Sequence, residues 1–244
     1  MEVHAHSHTA RKKWTHYFWE FLMLFLAVFC GFLAEYQLEH KIEKDRTKIF
    51  IKNLLEDLKA DTATFKSYAR DNKIRAAITD SLMYLLKGPE RKTKTTRIYY
   101  LARILTLRSD FLLPNERTYE EMKFSGQLRL IKNQEVSSGI SKYYNSLKRI
   151  KGQNDRIGER TSHYFLSADK LFDAEVFLKI AKEQKEPEDK SIQLLSEDPK
   201  VINELLTRVQ YFSVTCLFAA NFGLESCKEA ERLIELIKKE YHLE

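Results

Sequence analysis

Two patterns of hydrophobic and polar positions divide the 244-residue chain, and the first lies near the amino terminus. Residues 21–34, FLMLFLAVFCGFLA, are 14 consecutive residues without a charge. As a helix this run is about 21 Å long, whereas the hydrocarbon core of a bilayer is about 30 Å thick. Extending the run to Trp14 and Tyr36 gives about 34 Å and adds aromatic side chains that favour the membrane interface. The pattern predicts a transmembrane helix over residues 14–36.

A cleaved signal peptide is the alternative interpretation of this run. Arg11, Lys12 and Lys13 precede it, as basic residues precede the apolar part of such a peptide. However, cleavage after Ala34 would place Phe32 at a position that requires a small residue. The sequence therefore favours an uncleaved anchor.

The second pattern begins after residue 36, where apolar residues recur every three or four positions between polar ones. This spacing is typical of amphipathic helices that bury one face. A long helix is predicted over residues 37–87, because no Gly or Pro lies between Gly31 and Gly88. Further helices, separated by Pro or Gly, are predicted over residues 97–113, 134–151, 154–186, 199–221 and 224–242.

Local signals mark three of the helix starts. Thr118 and Glu121 have the spacing of a capping box and predict an additional short helix. Asn133 is predicted to cap the helix that follows it. Pro199 fits the first turn of the next helix, where no amide donor is needed.

Composition supports the same fold class. The chain has 7 Gly and 4 Pro, whereas average usage would give roughly 17 and 12. Sandwiches, barrels and doubly wound sheets need turns more often than this supply allows. The sequence predicts an all-α protein in which one N-terminal transmembrane helix continues into a long helix, followed by an extramembrane helical bundle. The polar tail is residues 1–13, and the extramembrane domain is residues 37–244.

One face of the predicted transmembrane helix combines small residues with a carboxyl group. Its members, at three- and four-residue spacing, are Glu20, Leu24, Ala27, Gly31 and Ala34. Ala27 and Gly31 form a small-xxx-small pair, which allows two helices to approach closely. Three interpretations of Glu20 stay open: an interfacial carboxyl group, part of a helix–helix contact, or a proton or ion site.

The net charge is +6, but charges of both signs alternate along most of the chain. This alternation is typical of solvated helix surfaces and argues against a nucleic-acid partner. The predicted loop 87–97 differs, because it forms a local basic patch that suits phosphates or an acidic partner. The patch residues are Lys87, Arg91, Lys92, Lys94 and Arg97.

Cys216 and Cys227 are the candidates for a disulfide. They lie almost symmetrically about residues 221–223, so an antiparallel hairpin would bring them together in an oxidising compartment. On one unbroken helix they would lie about 16 Å apart, too far to bond.

The candidate metal ligands are His4, His6 and His8 in the polar tail. Imidazole groups bind Zn, Cu or Ni, although short polar tails are usually disordered. The chain contains no Gly-rich phosphate loop, no G-x-S-x-G motif and no H-E-x-x-H motif. We therefore predict no catalytic residue, no cofactor and no enzymatic activity.

Three blocks of sequence resemble a family of single-pass membrane proteins that is widespread in Bacteroidota and has no characterised activity. The first block is at the amino terminus and consists of MEVHAHSH and KKWTHYFWEFLMLFLAVFCGFLAE. The second is FIKNLLEDLKADT at 50–62, and the third is TYEEMKFSGQLRLIKNQEVSSGISKYYN at 118–145. The resemblance implies a bacterial inner-membrane protein with a helical extramembrane domain, and it assigns no site residue.

The predicted function is a membrane-anchored helical scaffold or partner-binding protein that assembles with itself or with another membrane protein. The basic residues before the apolar run favour an inside amino terminus and a periplasmic bundle. Two alternatives remain. One is an accessory subunit of a transport or energy-coupling complex that uses Glu20. The other is a helical-bundle ligand sensor that signals through a partner.

Overall fold

The computed structural model describes residues 13–107 and 111–243. Within these ranges the chain forms helices and no strand, which confirms the predicted all-α fold. The helices are α1 (Trp14–Lys87), α2 (Thr95–Ile104), α3 (Arg117–Phe124), α4 (Gln134–Ala168), α5 (Ala174–Glu183) and α6 (Pro199–Tyr241), with 3-10 turns at Pro89–Lys92 and Gln127–Leu130. The chain divides into two compact units, Met1–Ile49 and Phe50–Glu244, and α1 contributes to both.

The described part of the first unit is the apolar portion of α1. Helix α1 is long and apolar enough to cross a membrane, with a window of mean hydropathy 2.0 in which no residue is buried. Phe21, Phe25 and Phe29 stack along one side, with ring centroids 6.2 and 5.9 Å apart. Trp14 and Tyr36, the aromatic residues expected at the two interfaces, are exposed.

The second unit is built on three long helices: α1 from Phe50 onward, α4 and α6. Helices α4 and α6 are antiparallel. The Asn133 side chain donates a hydrogen bond to Glu240 at one end of the pair, and Lys170 donates one to Glu204 at the other. Helix α6 is also antiparallel to α1. Its Cys227 faces the Thr62 carbonyl, and Gly223 lies against Phe65 and Tyr68, further along α1.

Two apolar clusters follow one another along these three helices. The first is closed by α3 and the 3-10 turn that follows it, through Met122 and Leu128. The second is closed by α2 and α5, through Tyr99 and Ile180. On α1 the first cluster ends at Tyr68 and the second begins at Ala76. Between these two positions α1 buries polar side chains, Asn72 and Arg75.

Two predicted helix starts are confirmed. The Asn133 side chain accepts hydrogen bonds from the N–H groups of Glu135 and Val136, at 2.9 and 3.1 Å. Pro199 occupies the first turn of α6, directly after the cap Asp198. The prediction of a capping box at Thr118 is wrong. Helix α3 begins at Arg117, and Thr118 is buried inside its first turn.

The helix predicted over residues 97–113 is wrong in extent, since α2 ends at Ile104 and residues 111–116 form no regular element. The Leu112 N–H donates to Asn154 Oδ1 at 3.3 Å, and Asn154 Nδ2 donates to the Leu112 carbonyl at 2.9 Å. The amide of Asn154 thus replaces the backbone partners that a helix would supply.

The breaks predicted near residues 152 and 223 are also wrong, because Gly152 and Gly158 lie within α4 and Gly223 lies within α6. One Gly costs a helix about 1 kcal/mol relative to Ala. Burial of flanking side chains such as Ile150 and Ile157 outweighs this cost, at about 1.5–3 kcal/mol each.

The helix predicted over 154–186 divides instead after Ala168. The Asp173 side chain accepts hydrogen bonds from the N–H groups of Glu175 and Val176, at 2.9 and 3.1 Å, and so starts α5. Helix α5 ends where Gln184 adopts a left-handed conformation, with φ 53°. The apolar spacing continues across this turn, so the pattern alone did not reveal the break.

Substitution of two helical glycines by Ala is expected to have opposite effects on stability. A Cβ at Gly158 would meet no atom within 4 Å, so Gly158→Ala should raise the free energy of unfolding by about 0.5–1 kcal/mol. A Cβ at Gly223 would lie 3.1 Å from the Tyr68 ring and 3.3 Å from the Phe65 carbonyl oxygen. Gly223→Ala should lower stability by about 1–3 kcal/mol.

Urea unfolding of the full chain in detergent measures both changes. A stabilising Gly223→Ala would contradict the close contact between α1 and α6.

Candidate partner-binding site

The proposed metal ligands His4, His6 and His8 lie outside the described residues. Among the residues that are described, no group of three or more His, Cys, Asp or Glu side chains is arranged to hold a metal ion.

The predicted packing face of the transmembrane segment forms one exposed stripe of α1. The Glu20 carboxylate lies 4.0 Å from His16 Nε2, one turn earlier on the helix. A Cβ at Gly31 would meet nothing within 4 Å. The stripe therefore leaves room for a second helix, as a small-xxx-small pair requires.

Folding partly neutralises the predicted basic patch. Arg91 Nη2 lies 2.6 Å from Glu197 Oε2, and Arg97 Nη1 lies 3.6 Å from Glu186 Oε2. The side chains of Lys87, Lys92 and Lys94 stay exposed. Two of the five cations thus pair with acids that precede α6, and the patch is a weaker anion site than its sequence indicates.

The predicted disulfide between Cys216 and Cys227 is wrong. Both cysteines are free and buried, and both lie on the unbroken helix α6. Because the hairpin does not form, the helix holds their sulfur atoms too far apart to bond.

A surface groove lies between α4 and α6, with a volume of about 490 Å³. We call it the α4–α6 groove. It is lined by Arg149, Gly152, Gln153 and Arg156 of α4, and by Phe218, Asn221, Phe222 and Glu225 of α6. Gly152 contributes no side chain, and a Cβ there would meet nothing within 4 Å. This absence of bulk helps to keep the groove open.

Large apolar side chains on α6 continue the groove along the surface. The exposed members of this stripe are Tyr211, Val214, Leu217 and Phe218. Phe218 is 66% exposed and Tyr211 is 50% exposed. The opposite face of α6 carries core residues such as Phe212 and Cys216. Helix α6 is therefore apolar on two faces, and the bundle covers one of them.

A row of arginines on α4 flanks this stripe. Arg149, Arg156 and Arg160 share one face, because spacings of seven and four residues return to the same side of a helix. The Arg149 guanidinium lies 5.2 Å from the centre of the Phe222 ring, and that of Arg160 lies 5.5 Å from the centre of the Tyr211 ring. Within the described ranges, none of the three forms a salt bridge.

Aromatic rings beside unpaired guanidinium groups suit protein–protein contacts, where Tyr, Trp and Arg are enriched. The arrangement contains no nucleophile with an adjacent base. Comparison with known proteins adds no relative: no family model matches the chain, and neither a curated protein nor a solved structure matches it.

The sequence contained a signal for this groove that the core pattern concealed. Tyr211, Val214 and Phe218 have the spacing of an apolar helix face, but they lie beside the stronger core stripe. The arginines of α4 are separated by acidic residues in the sequence, and only the helix places them on one side.

A buried hydrogen-bond network on the far side of the bundle has a structural role. The Asp61 carboxylate accepts hydrogen bonds from the N–H and side-chain amide of Asn115, at 2.8 and 3.0 Å, and from Tyr143 O–H at 2.7 Å. Asp61 is fully buried. Burial raises the pKa of Asp61 although these hydrogen bonds lower it. The network attaches the irregular segment 111–116 to α1 and α4.

The substitution Tyr143→Phe should destabilise the protein in a pH-dependent way. A hydrogen bond to a charged group is worth about 1.5–3 kcal/mol, against about 1 kcal/mol for a neutral pair. Because the pKa of Asp61 is raised in the folded state, its contribution to stability falls as pH rises from the unfolded pKa through the folded one. Loss of the Tyr143 donor raises the pKa of Asp61 in the folded state further. The loss in free energy of unfolding caused by Tyr143→Phe should therefore increase with pH.

Tyr144→Phe is the matched control, since Tyr144 donates to the neutral Asn115 carbonyl at 3.3 Å. Urea unfolding between about pH 4 and pH 8 measures both variants. Equal pH dependence of the two would show that Asp61 is not the charged acceptor.

Proposed function

We propose that the protein is a membrane-anchored helical docking protein without catalytic activity. Its partner is an acidic amphipathic segment of another protein, which binds in the α4–α6 groove. The observation that carries this proposal is the exposed aromatic stripe of α6 beside arginines without described counterions.

The exposed apolar residues of α6 form a continuous stripe beside the groove. Single exposed apolar residues are common, but contiguous patches rimmed by polar groups are typical of interaction sites. Phe218 extends from the groove, and Tyr211 extends the patch by two helical turns. A helix with apolar residues three and four positions apart fits such a surface.

The positive charge of the arginine row favours an acidic partner. In a symmetric dimer the patch meets the same patch of a second copy, so the interface would hold the arginines of both rows and, among the lining residues, only Glu225 of each copy as an acid. Like charges in one interface disfavour a second copy in the groove. An acidic segment places carboxylates beside Arg149, Arg156 and Arg160 instead. Glu225, at one end of the groove, favours a partner whose acids lie nearer the arginines.

The membrane segment supports a second contact. We assign the stripe of Glu20, Leu24, Ala27, Gly31 and Ala34 to a helix of a second copy or of another membrane protein. A bacterial inner-membrane location, with the amino terminus inside and the bundle in the periplasm, is supported by the basic residues that precede the span. The likeness to Bacteroidota membrane proteins supports the same location.

A defined peptide tests the groove. The probe is a labelled amphipathic helix of about 18 residues, with Leu on one face and Glu on the other, and its matched form carries Lys for Glu. The full chain in detergent should bind the acidic peptide, and salt should weaken this binding. Phe218→Glu and Arg156→Glu should each weaken it about tenfold or more, as measured by fluorescence anisotropy.

Leu178→Glu is the control variant, because Leu178 is an exposed apolar residue of α5, at 55% exposure. It should leave binding unchanged. Equal binding of the acidic and basic peptides, or equal effects of Leu178→Glu and Phe218→Glu, would contradict the proposal. Dissociation of a dimer by Phe218→Glu would show instead that the groove binds a second copy.

A further inference from the structure

A second cavity lies on a different part of the bundle from the α4–α6 groove. Its volume is about 260 Å³. It is lined by residues of α1, including Tyr68, Asn72 and Arg75, and by Phe111 and Leu112 of the irregular segment. We call it the Arg75 pocket. It lies where α1 passes from the first apolar cluster to the second.

Arg75 is a buried cation without a counterion among the described residues. Its exposure is 5%, and its Nε and Nη1 atoms have no hydrogen-bond partner in the described part of the chain. A guanidinium does not lose its proton in a protein, so burial cannot neutralise it. An unpaired buried charge is strongly destabilising, and an anion is the group that would compensate it.

Among the described residues, the neighbouring groups do not supply that anion. Asp71 also lines the pocket, but its carboxylate lies 3.3 Å from Arg70 Nε and 3.3 Å from the Ser67 hydroxyl. Burial raises the pKa of Tyr68 to about 12 and that of Cys216 to about 12, so both stay neutral beside Arg75 at physiological pH.

Asn72 adds an acceptor to the pocket. Its Nδ2 donates to the Tyr68 carbonyl at 2.9 Å. A carbonyl oxygen only accepts, so this bond fixes the orientation of the amide and leaves Oδ1 as the free acceptor. Oδ1 is buried and has no described partner, and the same holds for the Tyr68 hydroxyl. Residues that line the pocket thus carry a cation, an acceptor and a hydroxyl within two turns of one helix.

We propose that the Arg75 pocket binds a small carboxylate whose neighbouring carbon carries a hydroxyl or ammonium group. The carboxylate pairs with the Arg75 guanidinium, and the hydroxyl or ammonium group donates to Asn72 Oδ1. The volume of about 260 Å³ has room for a hydroxy acid or an amino acid. The pocket is independent of the groove and does not rest on the docking proposal.

Calorimetry of the full chain in detergent tests this site with L-lactate, L-alanine and two comparison anions. Lactate or alanine should raise the Tm in a concentration-dependent way. Propionate has the same carboxylate without the donor, so it should bind several-fold more weakly. Phosphate lacks the planar two-oxygen group and should also bind more weakly. A response to only one of lactate and alanine identifies the donor as hydroxyl or ammonium.

Arg75→Gln should weaken binding of the responding acid by about tenfold or more, because it removes a charge-assisted contact. The unliganded variant should keep or increase its Tm, since it no longer buries an unpaired charge. A lost response with an intact fold therefore reports the site. Lys73→Gln removes a charge from the same region of α1, at an exposed position, and should leave binding unchanged. Phe218→Glu, in the α4–α6 groove, should also leave it unchanged.

The proposal is overturned if neither lactate nor alanine binds, or if propionate or phosphate binds as tightly as they do. It is also overturned if Arg75→Gln keeps the full response, or if Lys73→Gln loses as much affinity as Arg75→Gln.

Discussion

The close approach of α6 to α1 at Gly223 determines how the remaining helices of the bundle are placed. A Cβ at this position would lie 3.1 Å from the Tyr68 ring and 3.3 Å from a backbone carbonyl of α1, so a larger residue would require these neighbours to shift. Helix α4 then packs antiparallel on α6 and completes the three-helix core. Because α6 gives one apolar face to this core, its second apolar face remains on the surface beside α4. The α4–α6 groove is a consequence of that arrangement.

The same contact links the core to the Arg75 pocket. Tyr68 packs against Gly223 with its ring, and its hydroxyl lies at the pocket without a described partner. The apolar clusters separate immediately after Tyr68, where α1 buries Asn72 and Arg75 instead of Leu or Ile. A purely structural helix gains stability from apolar residues at such positions. Buried polar groups at these positions are expected if they bind a ligand, as proposed for the Arg75 pocket.

Periodicity and composition predicted the fold class, and local signals predicted two helix starts. Asn133 and Pro199 act at helix starts through local chemistry, which the sequence contains in full. Gly152 and Gly223 were interpreted as breaks because the sequence does not show which neighbours each Gly meets. That error also produced the false disulfide. The sites were hidden for a related reason: Arg75 resembles its solvated neighbours until its burial is known, and the groove requires two helices distant in sequence.

The proposed docking function requires that α1 anchors the chain in a membrane, with the bundle on the periplasmic side. The natural cysteines make this measurable, since Cys30 lies in the apolar segment and Cys216 and Cys227 are buried. A Thr207→Cys variant adds one exposed cysteine on α6. After expression in a bacterial inner membrane, the chain should resist extraction by alkaline carbonate, and an impermeant maleimide should label residue 207 in intact spheroplasts. Release by carbonate, or labelling only after lysis, would contradict the account.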